Sequence, residues 1–151
     1  MAERSLVLVK PDGVQRGLVG EIIGRFERRG LRIAALKLIR MDDALAQQHY
    51  AEHNGKPFFA DLISFITSGP LVAMVVEGPG AVATVRQMVG ATNPADSPPG
   101  TIRGDYAVTI GMNIIHASDS VERAATEVAL FFTAGEVLDY TRDVERWILE
   151  G

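Results

Sequence analysis

Cysteine is absent from all 151 residues, which excludes disulfides, thiolate nucleophiles and cysteine-bound metals. Long apolar runs are absent too. The first candidate, Ser5–Val9, is cut off by Lys10, Pro11 and Asp12, too soon for a signal-peptide core or a membrane span. A cytoplasmic chain with no membrane partner is the expectation. Concentrated positive charge is missing: the formal net charge is −4, and no run of five or more basic residues occurs. The densest basic cluster, Arg25, Arg28, Arg29 and Arg32, is interrupted by Phe26, Glu27 and Gly30. It reads as the solvated face of a helix end, so no nucleic-acid partner is expected. The pattern G-x-x-x-x-G-K-[ST] does not occur, which removes a P-loop as phosphate cradle. Neither repeats nor a domain boundary is visible, so residues 1–151 are read as a single domain with one ordinary core.

What is present is punctuated by glycine and proline. Ser5–Val9 is a β-branched apolar run stopped by Pro11-Asp12-Gly13, which predicts a buried strand. Val19, Ile22, Ile23 and Phe26 recur at helical spacing, with Gly30 placed as a C-terminal cap. Leu31–Arg40 reads as a strand with apolar residues on both faces: Arg32, Ala34, Leu36, Leu38 and Arg40 on one, Ile33, Ala35, Lys37 and Ile39 on the other. Asp42 or Asp43 can cap a helix through about His53, and Phe58–Ile66 predicts a further short helix. Leu71–Val76 is a strand between glycine–proline turns, and Ala81–Val89 a helix. Gly90–Gly104 carries Pro94, Pro98 and Pro99 and reads as a long loop, a length that within a compact domain points to function. Ile114 and Ile115 open a last strand, and Asp119 with Glu122 resembles a capping box for a helix through Phe132. The order β-α-β-α-α-β-α-β-α suits a parallel α/β sheet, yet pattern alone leaves an antiparallel sheet equally open.

Two motifs are weak. Gly78-Pro79-Gly80-Ala81-Val82-Ala83 fits a dinucleotide fingerprint, but Pro79 removes an N–H that would face a pyrophosphate, so a tight turn is the better reading. His49-Tyr50-Ala51-Glu52-His53 fits H-x-x-E-H without a third ligand, and two solvent-facing histidines on a helix account for it. No metal site in the protein is expected.

The stretch Asn113-Ile114-Ile115-His116-Ala117-Ser118-Asp119-Ser120 is stronger. It places one histidine between a strand and a capped helix, just after the Gly/Pro-rich loop. A neutral imidazole near pH 7 is a competent nucleophile. Its other nitrogen needs a partner to fix the tautomer, and Glu127, about two turns into the next helix, is the candidate.

These residues resemble the active-site signature of the nucleoside diphosphate kinase family. The likeness runs through V-K-P-D-G-V-Q-R-G-L (Val9–Leu18), H-Y-A-E-H (His49–His53), K-P-F-F (Lys56–Phe59) and S-F-I-T-S-G-P (Ser64–Pro70). It continues through G-A-T-N-P-A-D (Gly90–Asp96) and G-T-I-R-G-D-Y (Gly100–Tyr106). The resemblance implies an α+β, ferredoxin-like fold: a four-stranded antiparallel sheet with helices. It implies transfer of the γ-phosphoryl group of ATP, or another nucleoside triphosphate, to a nucleoside diphosphate by a ping-pong mechanism through phospho-His116. Glu127 would hold the ring, with Ser118 beside it. Lys10, Tyr50, Arg86, Thr92, Arg103 and Asn113 would bind phosphates and ribose, and Phe58 would stack on the base opposite Ile110. Mg²⁺ would be bound through the nucleotide phosphates, with Asp119 at most a water-mediated neighbour, and the chain would form a homohexamer. Ala117 stands where glycine is usual in the family and Met112 where a basic residue is frequent. The rival reading is a non-catalytic nucleotide-binding regulator on the same scaffold. Such a regulator would be expected to have lost His116 or a phosphate ligand, and none is lost.

Overall fold

The computed structural model describes residues 2–150. Four strands, β1 (Glu3–Val9), β2 (Arg32–Ile39), β3 (Leu71–Gly78) and β4 (Ile115–Ala117), form one sheet in the order β2-β3-β1-β4. Every pairing is antiparallel, which resolves the sheet in favour of the α+β arrangement. The helices are α1 (Pro11–Gln15), α2 (Val19–Arg28), α3 (Asp43–His49), α4 (Phe59–Ile66), α5 (Ala81–Val89), α6 (Ile102–Tyr106) and α7 (Val121–Phe131).

Helices cover both faces of the sheet. Val7, Val9, Val72, Met74 and Val76 pack on Ile22 and Phe26 of α2 and on Val85 and Val89 of α5. The alternate residues Leu6, Leu8, Leu71, Ala73 and Val75 pack on Ala46, Ile66 and Phe131 from the opposite side. Central strands buried on both faces read as continuous apolar runs, the pattern usually associated with parallel sheets. Phe26 is fully buried, and its transfer from water alone contributes on the order of 2–3 kcal/mol. Gly30, at φ +96°, ends α2. Its N–H donates to Glu27 and that of Leu31 to Phe26, closing a Schellman cap that an L side chain would strain.

Three expectations are corrected. A β-bulge at Ala34 puts Ile33 opposite Val76 and Leu36 opposite Met74. Ile33 therefore shares a face with Leu36 and Leu38, not with Ala35 and Ile39, because one extra residue reverses the alternation. The helix from Asp43 stops at His49, and a separate 3₁₀ turn carries Ala51–His53. The cap of α7 is Ser120, whose hydroxyl accepts from the Arg123 N–H; Asp119 lies one residue too early. The long loop also contains structure, a 3₁₀ turn at Pro94–Asp96 followed by α6.

After α7 the chain runs back along the outer strand. Leu138 N–H donates to Ala34 O at 2.9 Å and Tyr140 Oη to Ile33 O at 2.6 Å. Arg142 donates to the carbonyls of Gly30 and Leu31. Arg32 bridges Glu145 and the buried Glu77, which Arg4 also holds. Burial would raise the Glu77 pKa, but hydrogen bonds from the two guanidiniums keep it below the usual carboxylate value.

Candidate active site

The site is built on β4 and on the junction where β1 turns into α1. His116 pairs with Leu8 in the sheet, so its backbone is fixed by the buried central strand β1. Two residues earlier, Ile114 sits at φ +76°, a left-handed conformation that a β-branched residue adopts only under constraint. Three contacts impose it. Asp12 Oδ2 accepts from Ile114 N–H at 3.0 Å, and Ile114 O accepts from Lys10 N–H at 2.8 Å. Gly13 lies so close that a Cβ there would come within 3.1 Å of the Ile114 side chain. Strain of this kind costs about 1–3 kcal/mol and here aims the chain from Asn113 to His116.

His116 Nε2 lies 3.1–3.2 Å from both carboxylate oxygens of Glu127. Ser118 Oγ donates to Glu127 Oε1 at 2.7 Å and accepts from Leu6 N–H at 3.0 Å. Glu127 is only 4% exposed. Burial would favour its neutral form, yet hydrogen bonds from His116 and Ser118 hold its pKa below the ordinary value. An ionised carboxylate can only accept, so Nε2 carries the proton and Nδ1 is left with its lone pair. Sequence placed the pair of His116 and Glu127; the relay onward to Ser118 and the sheet emerges from the packing.

Around this ring stand cations without carboxylate partners. Among the described residues none of Lys10, Arg86 and Arg103 forms an ion pair with an acid. Lys10 Nζ donates to Asn113 Oδ1 at 2.8 Å, and Asn113 Nδ2 donates to Thr92 O at 3.0 Å, which fixes the amide's orientation. Arg103 is buried and donates to the carbonyls of Asn113, Ile115 and Gly90, propping the loop against β4. Arg86 donates to Ala117 O at 3.2 Å. Burial, then Arg86, depresses Arg103 to about 10. Burial, then Arg103, depresses Lys10 to about 8, with Asp12 offsetting part of the effect. Buried positive charge that lacks a protein anion is a place for an anionic ligand.

The Lys10 depression has a signed consequence. Below about pH 8 the free protein carries a destabilising buried charge, relieved as pH rises toward the unfolded value of 10.5. A polyphosphate ligand raises the pKa back, so binding takes up a proton above about pH 8 and weakens as pH climbs further. Calorimetric titration with ADP at about pH 9, in two buffers of different ionisation enthalpy, should show that uptake. Lys10→Arg should remove it. Identical heats in both buffers for the unmodified chain would refute the assignment.

An aromatic wall leads away from His116. His49 stacks edge-on to His116 with ring centres 4.8 Å apart, Tyr50 meets His49 at 4.7 Å, and His53 lies 6.3 Å from Tyr50 and 5.4 Å from Phe58. Burial pushes the Tyr50 hydroxyl up to about 12, so it is a proton donor at any ordinary pH. Phe58 stands exposed at the far end of this wall; Ile110, Thr92 and Asp119 are exposed as well. His49 was missed by sequence reasoning. It is buried on the end of α3, while His53 is on the following turn, so the H-x-x-E-H pair does not form one ligand face. Asp12 and Ile114 were missed as well; the Pro-Asp-Gly turn was the signal available for Asp12. A cavity of about 960 Å³ lies elsewhere, between α7 and the start of β1. Its two arginines, Arg4 and Arg32, are both already paired with Glu77, so volume alone misplaces the chemistry.

A tautomer-fixed imidazole facing unpaired cations, on a ferredoxin-like sheet, defines a phosphotransferase. Comparisons with known proteins narrow the class. The family model for nucleoside diphosphate kinase matches residues 3–137. A nucleoside diphosphate kinase of Thermus thermophilus is 64% identical over 136 residues, 90% of this chain and 99% of that protein. One from Roseiflexus castenholzii is 59% identical over 148 residues, covering 98% and 99%. The solved structure of a halophilic nucleoside diphosphate kinase from Halobacterium salinarum in complex with CDP superposes with a TM-score of 0.97. It is 52% identical and covers 99% of this chain and all of that one. The chain belongs to the nucleoside diphosphate kinase family.

Proposed function

We propose that the chain moves the γ-phosphoryl group of a nucleoside triphosphate to a nucleoside diphosphate in two half-reactions, with Nδ1 of His116 as the carrier. The observation that supports this most is the Nε2–Glu127 contact, which leaves Nδ1 as the only ring lone pair. In the first half-reaction Nδ1 attacks the γ-phosphorus, the bond to the β,γ-bridging oxygen breaks, and the diphosphate leaves. The second half-reaction is its reverse with another diphosphate. Glu127 stabilises the positive charge that develops on the ring. Lys10, Arg86 and Arg103 offset charge on the phosphate oxygens, where catalysis of this kind is mostly positioning and electrostatics. The exposed Phe58 face with Ile110 opposite offers stacking and no base-edge readout, so all bases should be accepted.

The protein's own donors do not suit Mg²⁺. The only cluster of three potential ligands among the described residues is His49, His116 and Glu127, rich in nitrogen, whereas Mg²⁺ prefers oxygen and retains water. Nucleotide phosphates fit that preference, with the exposed Asp119 able to accept a hydrogen bond from a metal-bound water. When bound, the ion supplies charge neutralisation on the phosphates. The reading is tested by a coupled assay for ADP formation from ATP and a second diphosphate, with and without chelator. Nucleotide binding without turnover would favour the regulatory alternative instead.

The chain is also read as a homo-oligomer, a hexamer assembled from dimers. The C-terminal segment hydrogen-bonds the backbone of the outer strand at Ile33 and Ala34, and Glu136 pairs with Lys37. Leu36 and Leu38 are still 52% and 66% exposed on this sheet edge, a surface that monomers ordinarily protect. Leu36→Glu with Leu38→Glu should therefore reduce the assembled mass measured by light scattering, and a monomeric unmodified chain at micromolar concentration would refute the reading. No helix among the described residues is long and apolar enough to cross a membrane.

A further inference from the structure

Phosphoryl transfer leaves one buried group without a task. His49 is 4% exposed, and its Nδ1 has no hydrogen-bond partner. An apolar ring would pack equally well against Tyr50, Phe131 and His116, which it meets edge-on at 4.7, 5.4 and 4.8 Å. A histidine there instead brings a third metal-binding side chain to the nucleophile. One ring nitrogen from each of His49 and His116 and one carboxylate oxygen of Glu127 lie within 4.8 Å of one another.

We propose that His49, His116 and Glu127 form a capture site for a borderline divalent transition cation, Zn²⁺ above all, and that its occupation switches the nucleophile off. Two imidazoles and one carboxylate are a donor set that zinc accepts, leaving a fourth position for water. Donors bonded to zinc at about 2.0–2.1 Å in a tetrahedron lie about 3.3 Å apart. The His116 Nε2–Glu127 separation of 3.1–3.2 Å already meets that spacing. His49, at the last residue of α3, has the remaining gap to close, from at most 4.8 Å. His49 Nδ1 is buried and bonded to no protein group, so no existing hydrogen bond there has to be broken for a metal to bind. The groups facing it are His116, Glu127, Lys10 and Arg123. The last two oppose a cation, and Arg123 lies 3.6 Å from Glu127, so micromolar affinity is expected, weaker than in a dedicated zinc enzyme.

The switch follows from proton placement. A neutral imidazole has one N–H and one lone pair. In the free protein the proton is on Nε2 beside Glu127. Zinc on Nε2 needs the lone pair there, so the single proton moves to Nδ1 through solvent. The nitrogen that would attack phosphorus then carries hydrogen and has no electron pair to give. Mg²⁺ does not compete for this site, because it binds nitrogen poorly.

The loss of phosphorylation rests on the proposed role of His116; the metal binding does not, and the experiment separates them. Nucleotide-free, magnesium-free protein is titrated with Zn²⁺ alone by calorimetry, and saturable binding of one ion per chain is expected. His49→Phe, which preserves the ring packing, should weaken it about tenfold or more, and His49→Gln should do the same. His53→Gln, at the exposed contact with Glu52, should leave it unchanged. Labelling by γ-labelled ATP with Mg²⁺ is then followed at rising zinc. The label should fall in proportion to occupancy in the unmodified chain and persist in His49→Phe at the same zinc concentrations. Zinc binding that is insensitive to His49, or absent, overturns the site. Zinc that binds through His49 yet leaves labelling intact overturns the switch. A chain never labelled at any zinc level would contradict the phosphohistidine reading while the binding result stood.

Discussion

His116→Asn should form no phosphoenzyme and should lose turnover by about 10⁴-fold or more, the scale on which removal of a covalent nucleophile is felt. Asparagine is too short to fill the Nε2 position, but Ser118 still holds Glu127 and the pairing of β4 with β1 is made by backbone, so neither has reason to collapse. No other side chain can take over. Cysteine is absent, Ser118 is buried and committed to Glu127 and Leu6, and His49 is buried. The measurement is incubation with γ-labelled ATP and Mg²⁺ and no acceptor, followed by acid and base treatment. The unmodified chain should hold an acid-labile, base-stable label, and the variant none. Sequential kinetics with an unlabelled enzyme would sink the two-step mechanism altogether.

The second large effect concerns the sugar. Lys10 and Asn113 are joined by a 2.8 Å hydrogen bond at the floor of the site, with the amide of Asn113 oriented by Thr92 O. A ribose 3′-hydroxyl held by this pair can turn back toward the oxygen bridging the β- and γ-phosphates. Negative charge grows on that oxygen as the bond breaks, so the contact is stronger in the transition state than in the ground state. Losing it should cost roughly 2–4 kcal/mol, comparable to an oxyanion-hole donor. ATP and 2′-deoxy-ATP should therefore phosphorylate the enzyme at similar single-turnover rates. With 2′,3′-dideoxy-ATP the rate at saturation should be slower by on the order of a hundredfold. Equal rates for all three would make the 3′-hydroxyl a bystander and remove the sugar-binding role from Lys10 and Asn113.

How far these features could be read in advance differs from element to element. The extents of β3 and α5 are legible because Gly69-Pro70 and Gly78-Pro79-Gly80 stop one periodicity before the next begins. Strand direction is not legible. Helices bury both faces of β1 and β3, so nothing in their apolar runs distinguishes an antiparallel sheet from a parallel one, and only the family resemblance pointed the right way. The bulge at Ala34 leaves no trace because Ile33, Ala34, Ala35 and Leu36 are apolar whichever way they face. His49 was hidden by an assumed helix through His53; the break at Tyr50 turns one histidine inward and leaves the other at the surface. In the site, the pairing of His116 with Glu127 was legible because Glu127 lies about two turns into the helix that follows the histidine, and from the family resemblance. The convergence of Lys10, Arg86 and Arg103 depends on contacts across three separate elements, which local periodicity does not encode.

Glu77 carries a consequence for how the molecule opens. Chain ends normally fray at almost no free-energy cost, and the turn at Asp143–Trp147 buries no residue fully. Yet this end is tied through Glu145 and Arg32 to a carboxylate inside the sheet, and Arg4, near the other end, holds the same carboxylate. Releasing the tail leaves Arg32 with half its partners and uncovers the backbone of β2 at Ile33 and Ala34. Opening of the tail and exposure of that strand are thus one cooperative event. Amide protons on both should exchange with solvent together, as a single unit spanning the two termini.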